Sequence, residues 1–292
     1  MKNEQLTLKL RYILIMSAFG VIGPIIRAIG LPSPVVASLR GWISGIIVTL
    51  YLLITKHDID RGAMKKALLP MLISGFFMAV SWVGLFEAYN YTTIAAATVG
   101  FYLAPVLVFL CSPLLLGEKL TMKHFICALV AFAGMVFISG VMDEGAATGD
   151  LAQNTKGILF AILGAVTYAG SILINKKYPA GEPMARTAVQ LLSAALFSTP
   201  YALLRYDISA LHFTPQGIAM LLLLSVVFTA FVYIRYFDII LKIPARTVAI
   251  FSYMDPLVAV FVSVAVMGEQ ITMWGILGTI MIIGAALASE LK

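Results

Sequence analysis

Charge is scarce in this 292-residue chain. Asp, Glu, Lys and Arg make up 12% of it, against 61% hydrophobic residues. A water-soluble protein of this length needs a polar outer face, so a soluble enzyme or binding domain is excluded and the bulk of the chain belongs in a bilayer. Cysteine is scarce too. Cys111 and Cys127 both sit inside apolar runs, which excludes a disulfide framework and leaves them as small packing residues. The three histidines, His57, His124 and His212, stand far apart near segment ends. They lack the spacing of a zinc site, so no metal is expected. No Gly-rich loop opens onto a suitable helix, which excludes an ATP-driven pump, and no cofactor is expected. His, Asp and Ser do not cluster at one membrane face as a membrane-embedded enzyme requires, so no residue is assigned a catalytic role.

What is present is a series of long apolar runs. A helix crosses a bilayer in about 20 residues. Runs of that size lie at 11–30, 35–55, 68–90, 93–116, 121–141, 157–177, 184–204, 216–241, 244–267 and 271–289. The spacing predicts an all-α integral membrane protein with ten transmembrane helices. The first run follows a basic start that resembles a signal peptide. It has no small-residue cleavage site, so it reads as an uncleaved helix. Links such as Gly117 to Leu120 are short enough to require antiparallel hairpins. One long link, 142–156, divides the chain into a first unit at 1–141 and a second at 157–292.

Charge orients the runs. With the N-terminus inside, the inner segments hold Lys2, Lys9, Arg11, Lys56, Arg61, Lys65, Lys66, Lys119, Lys123, Lys176, Lys177, Arg186, Lys242, Arg246 and Lys292. The outer segments hold Arg27, Lys156 and Arg205, while Arg40 and Arg235 fall within runs. This bias places both termini in the cytoplasm and the 142–156 linker outside. It also accounts for the net charge of +6 without a nucleic-acid partner.

The second half repeats the first. Adding 151 to Tyr102, Pro105, Ser112, Gly117, Glu118, Thr121 and Met122 returns the same residue types at Tyr253, Pro256, Ser263, Gly268, Glu269, Thr272 and Met273. The same offset aligns Glu87 with Asp238 and Trp82 with Tyr233. An offset of 149 aligns Pro34 with Pro183 and Ser44 with Ser193, and sets Phe19 opposite Tyr168. Two copies of five helices each insert with opposite orientation. They form inverted repeats about a pseudo-two-fold axis in the membrane plane, the arrangement that alternating access uses.

The stretch Tyr91-Thr92-Thr93-Ile94-Ala95-Ala96-Ala97, then Pro105, then Leu114-Leu115-Leu116-Gly117-Glu118-Lys119-Leu120-Thr121 resembles EamA-type proteins of the drug/metabolite transporter superfamily. The second copy, from Ile243-Pro244-Ala245 through Asp255-Pro256 to Gly268-Glu269-Gln270-Ile271-Thr272, resembles it equally. The resemblance covers nearly the whole chain. It implies an inverted five-plus-five fold, with a central cavity lined by helices one to four and six to nine. Helices five and ten would then sit at the periphery. Its members move amino acids, metabolites, drugs or vitamins, often outward. Where the family often has Trp-Gly in the first helix, this chain has Phe19-Gly20.

A charge inside a span costs about 2.5–3.5 kcal/mol on insertion scales unless it is paired or wet. Arg40 and Glu87 lie at similar depths near the outer ends of the second and third runs, and are expected to form a structural pair. Arg235 and Asp238 share a face of the eighth run. Asp255 lies roughly 16 Å along the ninth run, near the midplane. Pro256 follows it, removing an amide donor and bending the helix; Pro105 does the same in the first copy. A carboxylate at a mid-membrane helix break is a default functional site, with a hydroxyl-bonded structural Asp as the alternative. Tyr102 and Tyr253 precede the two prolines by three residues each and are expected to face each other. With Trp82 and Tyr233 they are the rings expected to line a cavity. Glu118 and Glu269 are expected to organise the next helix, with Thr121 and Thr272 as caps.

These residues point to a secondary transporter of a small organic solute, an amino acid or related metabolite moved outward. Asp255 would take its ammonium and Arg235 its carboxylate, with Glu87, Tyr102, Tyr253, Trp82 and Tyr233 around it. The alternative is a proton-coupled organic-cation or drug exporter with Asp255 as counter-ion, and the remote alternative is a membrane-embedded enzyme or non-transporting receptor. The expected setting is a prokaryotic plasma membrane, crossed many times by a monomer or homodimer whose partners are its solute and the lipid.

Overall fold

The computed structural model describes the backbone of residues 2–56, 58–139, 141, 151–207, 209, 211–267 and 272–290. Among them there is no strand. The helices are α1 (Glu4–Ile29), α2 (Ser33–Ile54), α3 (Arg61–Tyr91), α4 (Ala96–Leu116), α5 (Met122–Ile138), α6 (Leu151–Lys177), α7 (Pro183–Arg205), α8 (Pro215–Lys242), α9 (Ala245–Val262) and α10 (Met273–Ser289). Eight are long and apolar enough to cross a membrane; α5 and α10 are shorter apolar helices. Helix α6 begins at Leu151, inside the segment read from sequence as linker. Residues 142–150 of that linker, and Glu269 with its turn, lie outside the described residues.

Local chemistry sets the ends. Thr93, Thr121, Thr214 and Thr272 each accept a hydrogen bond from the amide three residues on, at Ala96, His124, Gly217 and Gly275. This is the usual hydroxyl cap. Pro34, Pro183 and Pro215 sit in first turns, where a missing amide costs nothing. Gly117 ends α4 in the left-handed region at φ 69°.

The surface inverts the soluble pattern. Leu114 and Leu204 are 87% and 90% exposed, whereas Arg186 is 1% exposed and Asn175 and Gln190 are fully buried. An apolar exterior over a polar interior is what a lipid solvent selects.

The chain divides into two compact units, one of 1–21, 84–169 and 242–292, the other of 22–83 and 170–241. The first holds α4, α5, α9 and α10 with the early parts of α1 and α6. Within it α5 and α10 cross where Gly134 meets Gly278. A Cβ on Gly134 would stand 2.8 Å from the Gly278 carbonyl oxygen, and Phe137 stacks on Trp274 at 5.3 Å and 7°. Small residues let backbones approach this closely in lipid, where no hydrophobic force drives helices together.

The second unit holds α2, α7, most of α3 and α8, and the late parts of α1 and α6. Helices α2 and α7 cross antiparallel, with Gly41 against Ala195 and Gly45 against Leu192. Ser38 Oγ and Trp42 Nε1 both bond Thr199 Oγ1, at 2.7 and 2.9 Å. In α8 residues Leu224–Phe231 form a π-helical turn. The Thr229 hydroxyl donates to the Leu224 carbonyl five residues back, at 2.8 Å, and the Ser44 hydroxyl of α2 donates to the Ser225 carbonyl at 2.8 Å. Such wide turns mark functional segments more often than chance, and Tyr233 stands two residues beyond its end.

Candidate functional site

Helices α4 and α9 are each interrupted just ahead of their proline. The helical ladder of α4 pauses at Tyr102–Leu103 before Pro105, and that of α9 at Ser252–Tyr253 before Pro256. Proline has no amide to give and crowds the preceding turn, so the paired breaks follow from the paired prolines. Both belong to the first unit.

The breaks bring the expected residues together. The Tyr102 hydroxyl donates to Asp255 Oδ2 at 2.7 Å, and the Tyr253 hydroxyl donates to the Tyr102 carbonyl at 3.1 Å. The two rings lie 6.2 Å apart, tilted by 33°. Tyr253 is fully buried, while Asp255 and Tyr102 are half-buried. The Tyr102 hydroxyl is the one hydrogen-bond partner of the carboxylate among the described residues, which leaves acceptor capacity for a ligand N–H or a proton. Helix α1 passes directly over this turn. A Cβ on Gly20 would stand 2.5 Å from the Asp255 carbonyl oxygen and 2.9 Å from Val258 Cβ.

Tyr12 completes the wall and was not found by sequence reasoning. It is fully buried, and its hydroxyl shares a 2.9 Å hydrogen bond with Ser252 Oγ at the α9 break. Both Tyr12 and Tyr89 lie within electrostatic reach of Asp255. Tyr168 stacks on Phe101 at 5.7 Å. Asp255 is thus set among tyrosines, a surrounding that offers hydroxyls and ring faces to a cation.

In the second unit Trp82 and Tyr233 meet edge to face, at 6.5 Å and 89°, and are 8% and 9% exposed. The guanidinium of Arg40 lies 4.0 Å from the Trp82 ring centroid. Glu87 belongs to the first unit, where it is 4% exposed and accepts from Asn90 Nδ2 at 3.2 Å.

Arg235 stands elsewhere than a carboxylate partner should. It is exposed, 5.5 Å from the Phe231 ring. Four-residue steps back along α8 reach Phe231, Val227 and Leu223, all exposed apolar residues. Arg235 therefore lies on the outward apolar stripe of α8, the setting of a snorkelling cation, while Tyr233 and Tyr236 are buried.

A second polar cluster was also missed. Asn175 Nδ2 donates to Ser74 Oγ and to Gln190 Oε1, both at 2.9 Å. Arg186 Nη2 donates to the Asn175 carbonyl at 3.1 Å, and Ser74 and Ser171 share a 2.7 Å bond. The one signal in the sequence is the Arg186/Gln190 spacing of four, which puts two polar residues on one face of an apolar helix. Glu118 does serve a helix start, but that of α9: its carboxylate accepts from the Ala245 amide at 2.8 and 3.0 Å, while Thr121 alone caps α5.

Comparison with known proteins agrees with this architecture. The sequence model of the EamA-like transporter family matches twice, over residues 9–140 and 155–289. The chain is 26% identical over 281 residues to the uncharacterized transporter YxxF of Bacillus subtilis (strain 168), covering 96% of this chain and 88% of that one. It is 25% identical over 280 residues to the uncharacterized transporter YvbV of the same organism, covering 94% and 88%. A solved crystal structure superposes with a TM-score of 0.83 over 97% of both chains at 17% identity, a likeness of fold alone.

Proposed function

Starting from the fact that this chain belongs to the EamA-like transporter family, we propose that it is a secondary transporter which moves a small organic solute, an amino acid or related metabolite, outward by alternating access. The observation that carries this reading is the Asp255 carboxylate. It stands at a proline break that has a counterpart in the other copy, and beyond its one tyrosine hydroxyl it has acceptor capacity left for a ligand. A carboxylate there takes the ammonium group of the solute, and the surrounding tyrosine rings supply faces for it.

Contacts between repeat mates support the inverted arrangement. A residue that touches its own mate lies on the axis relating the copies. Tyr102 touches Tyr253 within one unit, and Trp82 touches Tyr233 within the other. The α2–α7 crossing, with Gly41 on Ala195 and Gly45 on Leu192, is centred on the mates Ser44 and Ser193. The double match of the family model, once in each half, supports the same duplication. In such a pair each copy takes in turn the conformation of the other, and the breaks in α4 and α9 are where helix segments tilt.

A second reading is a proton-coupled organic-cation exporter. It is favoured by the tyrosine setting of Asp255, in which a proton and a cation compete for one carboxylate. A thermal-shift screen of purified protein against amino acids, amines and vitamins tests both readings, since a ligand stabilises the fold that binds it. The first expects stabilisation by amino acids, the second by amines lacking a carboxylate. In either case Asp255→Asn abolishes the shift. Undiminished stabilisation of Asp255→Asn by the same ligand contradicts both.

A further inference from the structure

The second unit contains a buried cation with unmet needs. Arg40 sits in α2 and is 6% exposed. Its guanidinium carbon lies 4.0 Å from the Trp82 ring centroid. Contact with a ring engages the charge. The five N–H donors of a guanidinium lie in its plane and point along its edges, where an indole face satisfies none of them. Nε is buried with no hydrogen-bond partner among the described residues. Buried donors without acceptors are destabilising, and a buried charge more so.

Three carboxylates of the same unit, Asp60, Glu182 and Asp207, are engaged at helix and loop ends. Asp60 accepts from the Gly62 and Ala63 amides at 2.8 and 3.1 Å. Glu182 caps α7 through the Ala185 amide at 2.7 Å. Asp207 accepts from Ser209 at 2.9 and 2.7 Å. The Trp82 ring faces the guanidinium. Trp82 abuts Tyr233, which contacts Tyr236 at 6.0 Å and Phe237 at 5.6 Å. A cation with an unpartnered Nε beside an indole suits a ligand with a planar anionic head and an apolar body. A carboxylate fits that fork in plane, by two parallel N–H···O bonds.

We propose that Arg40 is an anion receptor within the second unit, binding the carboxylate of the solute edge-on while the apolar part of the solute lies against Trp82 and Tyr233. This rests on the transporter reading and narrows its substrate class to organic carboxylates with an apolar body. It also explains why a lone arginine is kept within α2 over an indole: the charge is held ready in a dry place, with its edges left for the ligand.

The test uses purified full-length protein and two probes of the same shape, phenylacetate and phenylacetamide. Thermal stabilisation is read as a function of probe concentration. Phenylacetate should act at about tenfold lower concentration than the amide, because it adds a charge-assisted pair that the amide lacks. Arg40→Gln should remove that preference, and Arg40→Lys, which keeps the charge without the fork, should restore part of it. Equal action of the two probes on the wild type overturns the assignment without recourse to any variant. So does an undiminished preference in Arg40→Gln. Liposome uptake of the same acid separates this inference from the reading beneath it. A carboxylate that binds through Arg40 yet never crosses the membrane contradicts transport and leaves the receptor standing. A carboxylate carried at the wild-type rate by Arg40→Gln contradicts the receptor and leaves transport standing.

Discussion

Tyr102→Phe deletes one oxygen, the atom that donates to Asp255 Oδ2 at 2.7 Å. The variant ring keeps its shape and its contact with Tyr253, 6.2 Å away, so packing should change little. What is lost is the one hydrogen bond the carboxylate receives among the described residues. A bond to an ionised group contributes about 1.5–3 kcal/mol and a neutral pair about 0.5–1.5 kcal/mol. Asp255→Ala removes the acceptor, so a double-mutant cycle with Tyr102→Phe isolates the pair. If Asp255 is ionised in the resting protein, the coupling energy should fall in the upper range; if it holds a proton, in the lower. Reversible unfolding in mild detergent, followed by tryptophan fluorescence, supplies the four stabilities. Repeating the cycle at acid and alkaline pH shows whether the coupling moves with protonation. Strictly additive losses at every pH would refute the reasoning, because the two side chains would then not sense each other.

Two further outcomes are expected. Gly20→Ala places a Cβ 2.5 Å from the Asp255 carbonyl oxygen; overpacking of this kind costs about 1–3 kcal/mol, and the displaced α1–α9 contact should lower transport more than it lowers yield, measured as flux per molecule of reconstituted protein. Single cysteines at Ala147 and Ala63, with Cys111 and Cys127 replaced, should react with an impermeant thiol reagent on intact cells only at position 147, and labelling at 63 alone would reverse the orientation.

What was legible in the sequence is what depends on neighbours along the chain. Run lengths predicted where long helices lie, and Thr121 marked a helix start, because a cap acts on its own turn. The twin prolines indicated twin breaks, and their fixed offset from Tyr102 and Tyr253 brought those tyrosines to notice. Contacts across the fold were not legible in the same way. Arg186 reads as one more cytoplasmic charge, yet it is buried against Asn175, since residue counts carry no facing. Arg235 and Tyr233 are two residues apart, and a small change of helical phase decides which turns outward; the π-helical turn before them resets that phase. Tyr12 lies in the first helix and meets Ser252 some 240 positions later, a pairing that no local pattern encodes. Glu118 faces the same limit, since its partner is the Ala245 amide.

The most direct measurement is solute flux in liposomes reconstituted with purified protein, comparing wild type with Asp255→Asn for a solute that stabilises the wild type on heating. Carriage of the solute by the wild type, with a rate that depends on pH, and loss of both the rate and its pH dependence in an Asp255→Asn protein that inserts and purifies normally, is the predicted result. Transport by Asp255→Asn at the wild-type rate with an unchanged pH profile would make Asp255 a structural residue and contradict the site.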